Sequence, residues 1–236
     1  QITCNTLNPL NCINSSVSID QSKINNYTWP INILNSTKTN PITITFTSNI
    51  ILNSSNQYFI IGSEYVTIDG SGYTVTIIGV QDYPGLVRNG FQDTTNTYSG
   101  YSNTTVKNIG IIATGTATLG QSSGWIGQSD YSSISTNNQI INCYSIGNVS
   151  NSAGGIVGSN AGYDNGCVII ENCYSIATTL GDSAGGIIGY NAGYYSYVGI
   201  KNCYSTATTL GNSAGGIVGS NAGKIYGNVR ITNCYS

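Results

Sequence analysis

A four-residue word, Asn-Cys-Tyr-Ser, recurs at residues 142–145, 172–175, 202–205 and 233–236, at steps of 30, 30 and 31. Between its copies runs an eleven-residue word, Ser152 to Gly162, which returns as Ser183 to Gly193 and Ser213 to Gly223. An exact repeat of about 30 residues means one supersecondary unit stacked on copies of itself. Helical repeats of that length need two amphipathic helices with few glycines. These units instead carry paired Gly-Gly and short runs of Ile, Val, Tyr and Thr bounded by Gly, Asn and Ser. Such runs read as strands and turns. The expected class is all-β: a parallel β-helix, or β-solenoid, with about three short strands per 30-residue coil in the C-terminal half.

Stacking gives each repeated residue a role. Asn142, Asn172, Asn202 and Asn233 follow strand residues and suit the left-handed corner that a sharp turn requires. One above the other, their amides can hydrogen-bond from coil to coil and satisfy buried groups. Asn160, Asn191 and Asn221 make a second such column. The Gly-Gly-Ile-Val-Gly block is expected to form a second strand, its glycines easing tight corners. Cys143, Cys173, Cys203 and Cys234 stack as small hydrophobes, and free thiols are favoured, because parallel Cβ vectors suit a disulfide poorly. With the cysteines inward, Tyr144, Tyr174, Tyr204 and Tyr235 point outward as an aromatic stripe, although the turn at the preceding Asn obscures strand parity. Tyr163, Tyr190, Tyr194, Tyr195, Tyr197 and Tyr226 add a tyrosine-rich surface outside any column.

The repeat decays toward the N-terminus. Ser123 to Ser129 is a degenerate copy of the glycine block, and Val106 to Ile111 resembles Val198 to Ser205 in pattern. Alternation at Tyr65–Ile77 and Pro41–Thr47 continues the strand pattern. Residues 41–236 therefore read as one solenoid, irregular over 41–120 and regular over 121–236. Residues 1–40 read as a cap or lead-in. The sequence ends at Tyr235-Ser236 in mid-repeat, and continuation of the natural chain beyond 236 is expected.

The words Gly-Gly-Ile-Val-Gly (154–158 and 215–219) and Gly-Gly-Ile-Ile-Gly (185–189), alternating with Asn-Cys-Tyr-Ser, resemble the GLUG-type repeats of right-handed parallel β-helix surface proteins. Those repeats occur in bacterial adhesin-like proteins and in repeat proteins of large DNA viruses. The resemblance covers residues ~120–236, with Ile where the family pattern has Leu. It implies a β-helix in an exposed location and brings no catalytic residues with it.

Composition narrows the function. The chain has no His, which removes Ser-His and Cys-His nucleophile pairs and imidazole metal sites. Seven Lys and Arg against nine Asp and Glu leave a net charge of −2, too sparse for a nucleic-acid surface. No apolar run approaches a bilayer span, so membrane insertion is not expected. Only 7% of residues are charged; 30 Asn, 29 Ser and 26 Thr hydrate the surface instead. Six sequons, at Asn14, Asn26, Asn35, Asn53, Asn103 and Asn148, permit N-glycosylation but are no more than this Ser and Thr content produces by chance. Cys4 and Cys12, eight residues apart in a loop-like segment, are a candidate disulfide, which suggests an extracellular setting. Cys167 has no counterpart in the repeat.

The expected function is a non-enzymatic extracellular structural solenoid, part of a surface fibre, filament or virion decoration, with neighbouring subunits or further copies of itself as partners. No cofactor or metal is expected. Two alternatives compete. Carbohydrate adhesion would use the tyrosine stripe, with glycans as partners. A polysaccharide lyase or hydrolase would need clustered carboxylates, for which Asp69, Asp82 and Asp93 near Arg88 are the nearest candidates. Asp69 heads an Asp-Gly turn, where its own backbone hydrogen bond already accounts for it. An ice-binding reading is weaker still, because Thr43/Thr45/Thr47 and Thr74/Thr76 hold no fixed place in successive repeats.

Overall fold

A computed structural model describes residues 11–92 and 98–236. Among these residues the chain is all-β apart from one six-residue helix, Gln21–Asn26, capped by the Asp20 carboxylate accepting from Lys23 N. The largest sheet has eight parallel strands: Val17–Ile19, Ile42–Phe46, Val66–Asp69, Thr105–Lys107, Asn138–Ile141, Cys167–Glu171, Tyr197–Lys201 and Asn228–Thr232. A second sheet joins six in parallel: Ile50–Leu52, Thr74–Ile78, Gly110–Thr114, Tyr144–Ile146, Tyr174–Ile176 and Tyr204–Thr206. A third joins Cys12–Ile13, Ile31–Ile33, Phe59–Ile61 and Val87–Asn89, also in parallel. Such stacked parallel sheets are compatible with a β-solenoid.

Period-2 alternation explains why these segments pair as they do. In Ile42–Phe46 the residues Ile42, Ile44 and Phe46 are buried while Thr43 and Thr45 face outward. Register then sets like on like. Ile44, Ile68, Val106, Ile140, Ile170 and Ile200 occupy successive rungs of one column and are all fully buried. Burying such a side chain contributes roughly 1.5–3 kcal/mol, so the column is a major part of the core. The early rungs need larger fillers: Phe46, Phe59, Tyr83, Trp125 and Tyr131 are buried there, with Trp125 stacked on Tyr83 at 6.2 Å.

The pairing adds detail to the expected layout and corrects one part of it. Strands within the first 40 residues pair with the sheets that follow, Val17–Ile19 against Ile44–Phe46 and Ile31–Ile33 against Phe59–Ile61. The glycine block is not a strand. Its third set of contacts runs on from Val87 as single parallel bridges, through Gly127, Val157, Ile188 and Val218. The reason is a bend: one carbonyl, that of Ile187, accepts from both Ile156 N (2.9 Å) and Val157 N (3.0 Å), which a straight ladder cannot do. The units that start at Asn172 and Asn202 add one further strand each, Thr179–Leu180 paired with Thr209–Leu210, only two residues long. Phe91–Gln92 and Tyr98–Ser99 form a separate antiparallel pair.

Candidate functional site

The copies of Asn-Cys-Tyr-Ser span the corner between the eight-stranded and six-stranded sheets, and each residue of the word has a different environment. The asparagine makes the corner. Asn142, Asn172, Asn202 and Asn233 have φ of 54°, 55°, 53° and 53°, the left-handed region that Asn tolerates and most residues avoid. Their amides form a continuous ladder: Asn233 Nδ2 donates to Asn202 Oδ1 (3.3 Å), Asn202 to Asn172 (3.1 Å) and Asn172 to Asn142 (3.2 Å). The ladder extends two rungs further than the repeated word. Asn142 donates to Asn108 (3.2 Å), which donates to Asp69 Oδ1 (3.0 Å). The amides are exposed rather than buried, because the αL corner turns the side chain out of the core.

Asp69 suits the end of this run of donors, since an ionised carboxylate only accepts. Its Oδ1 also accepts from Ser71 N (2.8 Å), and Lys107 Nζ lies 3.3 Å from Oδ2. Partial burial works against ionisation, but the hydrogen bonds from Asn108, Ser71 and Lys107 and the lysine charge together hold the carboxyl below its usual range. The second asparagine column has the same plan. Asn191 Nδ2 donates to Asn160 Oδ1 (2.9 Å), and Asn160 donates to Asp130 Oδ1 (3.0 Å). Here burial dominates and raises the Asp130 carboxyl, against hydrogen bonds from Asn160 and Ser129 and the nearby Arg88 charge. Asn221 breaks the column by donating to Tyr190 Oη at 2.7 Å.

The cysteines point inward as free thiols. Cys143, Cys173 and Cys203 are buried and Cys234 half-buried. Each lower backbone N–H donates to the sulfur above it, Cys143 N to Cys173 Sγ, Cys173 N to Cys203 Sγ and Cys203 N to Cys234 Sγ, all at 3.4 Å. Burial, seconded by the neighbouring thiol, raises Cys173 well above the ordinary thiol value. For Cys203 the hydrogen bond with Cys173 leads and burial follows. Cys167 opens strand Cys167–Glu171 as a half-buried free thiol raised by burial. Cys12 is not among the free thiols. The expected Cys4–Cys12 pairing falls on Cys4, outside the described residues.

The serine of the word was missed by sequence reading, and it joins the two words. Ser145, Ser175 and Ser205 are buried. Ser145 Oγ donates to Gly155 O (2.6 Å) and lies 3.2 Å from Ser175 Oγ; Ser205 Oγ donates to Gly216 O. A Cβ on Gly155 would run into Gly186 O and Ser175 Oγ, and one on Gly186 into Gly216 O and Ser205 Oγ. The second glycine of each pair is therefore required by the serine of the next unit. Spacing could have revealed this, because both words share one period.

The tyrosines lie on the outer face, as parity with inward cysteines requires. Tyr144–Tyr174, Tyr174–Tyr204 and Tyr204–Tyr235 stack at centroid distances of 4.9, 4.9 and 5.1 Å and within 4° of parallel. Rings stacked this closely turn their faces to one another and offer mainly edges and hydroxyls to solvent. At the next rung the column loses its side chain: Gly110 pairs with Tyr144, and the tip of the Tyr144 ring lies where a Gly110 Cβ would be. A cleft of about 430 Å³ opens at this foot, lined by Asp69, Ser71, Gly72, Asn108, Ile109, Gly110, Asn142 and Tyr144. The second tyrosine group is partly a column after all, since Tyr163 stacks on Tyr194 at 5.2 Å.

The remaining expected sites are dispersed. Asn14, Asn26, Asn35, Asn53 and Asn148 are exposed; Asn103 is half-buried and accepts from Asn137 Nδ2. Asp69 accepts from Asn108 and Ser71 through Oδ1 and pairs with Lys107 through Oδ2. Asp82 stands exposed at a corner after strand Thr74–Ile78, its backbone N–H donating to Thr118 Oγ1. Asp93 lies outside the described residues. Among the described residues no three of His, Cys, Asp and Glu gather as a metal site, and no helix is long and apolar enough to cross a membrane.

No family model, no curated protein and no solved structure matches the chain.

Proposed function

We propose that the chain is a closed β-solenoid acting as a non-enzymatic structural rod, part of an extracellular fibre, filament or virion decoration, and that its late units are GLUG-type repeats. The observation that carries this reading is the continuous side-chain register from Asp69 to Asn233, where asparagine meets asparagine at successive corners until the Asp69 carboxylate ends the run. Four independent kinds of column, amide, thiol, hydroxyl and phenol, run in parallel there. Such redundancy stiffens a rod and suits a protein whose product is shape. The ion-poor Asn, Ser and Thr surface fits an exposed setting in which hydration does not depend on charge. Self-association or neighbouring subunits remain the partners of this reading.

The tyrosine stripe is a weaker platform for glycans than the sequence suggests, because the inner ring faces are already stacked on one another. A polysaccharide-active enzyme needs converging carboxylates, and Asp69 already has three partners of its own. The test is negative-stain imaging of the native full-length assembly. Rods or filaments of uniform width are expected; dispersed compact particles would overturn the fibre reading.

A further inference from the structure

An unassigned feature of the structure is the cleft at the foot of the tyrosine column. Gly110 stands where Tyr144, Tyr174, Tyr204 and Tyr235 stand in later units, and the tip of the Tyr144 ring leans over it at the edge of the cleft. Its lining comes from the Tyr144 rung and from the rungs on the side opposite Tyr174, so the Tyr144 ring walls it with the side that no other tyrosine covers. The opposite rim is the polar turn at Asp69–Gly72. A volume of about 430 Å³ lies within the roughly 300–1,000 Å³ typical of small-ligand sites.

The chemistry of this lining is specific. The Asp69 carboxylate uses Oδ1 for Ser71 N and Asn108 Nδ2 and keeps accepting capacity on Oδ2 beside Lys107. The ladder takes one of the two N–H groups of each amide, leaving Asn108 and Asn142 a second donor apiece. Ser71 adds a hydroxyl. An aromatic wall facing a rim of uncharged donors, with one carboxylate balanced by one lysine, suits a neutral ligand with an apolar face and a hydroxylated edge. A pyranose ring has that form: axial C–H groups on its faces and hydroxyls around its perimeter. We infer that this cleft binds a single hexopyranose unit, its C–H face against Tyr144 and its hydroxyls on Asp69, Ser71, Asn108 and Asn142.

The test is saturation-transfer NMR on the full chain with the methyl glycosides of glucose, galactose, mannose and N-acetylglucosamine. At least one should show transfer. Gly110→Tyr should abolish it by placing a side chain in the cleft, where the ring tip of Tyr144 is the nearest group to the new Cβ. Tyr144→Leu should weaken binding about tenfold, in keeping with an aromatic contact and its buried area. Tyr204→Leu, two rungs away, should leave binding unchanged. Circular dichroism confirms that each variant is folded; should Gly110→Tyr fail to fold, Tyr144→Leu against Tyr204→Leu decides alone. Absence of transfer for all four glycosides, binding that survives Gly110→Tyr, or equal losses for the two leucine variants would each overturn the assignment. Imaging of the rod is independent of these outcomes, so failure here leaves the structural reading standing.

Discussion

At the scale of single residues, the corner asparagines do two separable jobs, holding a left-handed backbone and passing a hydrogen bond from each corner to the next. Asn172→Gly keeps the first and loses the second, whereas Asn172→Ala loses both. A left-handed Ala costs about 1–2 kcal/mol more than Gly at such a position. Chemical denaturation should therefore rank wild type above Asn172→Gly and Asn172→Ala lowest. Equal stability of the two variants would show that φ at Asn172 imposes no strain. The buried serine–glycine contact is less forgiving. Gly155→Ala places a methyl against the Gly186 carbonyl and Ser175 Oγ, both fixed by the rung above. It should cost about 1–3 kcal/mol or more. Gly199→Ala, whose nearest neighbour would be the movable Tyr197 hydroxyl at 3.3 Å, should cost far less. A comparable drop in melting temperature for both would contradict the interlock.

At the scale of elements, the thiol column and the early aromatic core make the fold sensitive to alkali. Burial first, and the Cys143 thiol second, hold Cys173 well above the ordinary 9.0, so the folded chain keeps a proton that the unfolded chain releases. Burial likewise raises Tyr83 and Tyr131 above the ordinary phenol value of 10.0. Stability from these groups is complete below about pH 9 and is lost as the pH rises beyond it, because there the unfolded state binds fewer protons than the folded one. Melting temperature should be level between about pH 7 and 8 and fall steadily above about pH 9. A level profile to pH 11 would contradict the burial of these groups. Which elements were legible in the sequence follows from the same physics. Exact repetition made the Asn, Cys and Tyr columns readable, because identical residues at one period must share an environment. Asp69 and Asn108 were not readable as ladder members, since their steps of 39 and 34 residues hide them among irregular loops. The glycine block looked like a strand because its Ile-Val pair has strand propensity. The shared carbonyl of Ile187, a feature of geometry alone, makes it a bend. The cleft lies beside Gly110, and an absent side chain leaves no signal in a degenerate repeat.

At the scale of the whole molecule, the proposed rod should tolerate loss of a complete rung and not of a partial one. Deleting residues 172–201 brings Asn202 onto Asn142, whose present neighbour Asn172 lies 30 residues away. That shortened chain should fold with an unchanged circular dichroism signature and cooperative unfolding. Removing only residues 172–186, about half a unit, sets strand against corner and should unfold the C-terminal half; equal tolerance of both deletions would contradict a stacked register. The central claim is that successive units rise along one axis by one strand spacing each. Thr43, Thr67, Thr105, Gln139, Ile169, Gly199 and Arg230 share one column of the eight-stranded sheet. The most direct test is pulsed electron resonance between spin labels carried on non-natural amino acids at Thr43 and Arg230, and then at Thr67 and Arg230. Rungs about 4.8 Å apart predict a narrow distribution near ~29 Å for the first pair and about 5 Å less for the second. Distributions that are broad, or that fail to shorten by one rung between the two pairs, would contradict it.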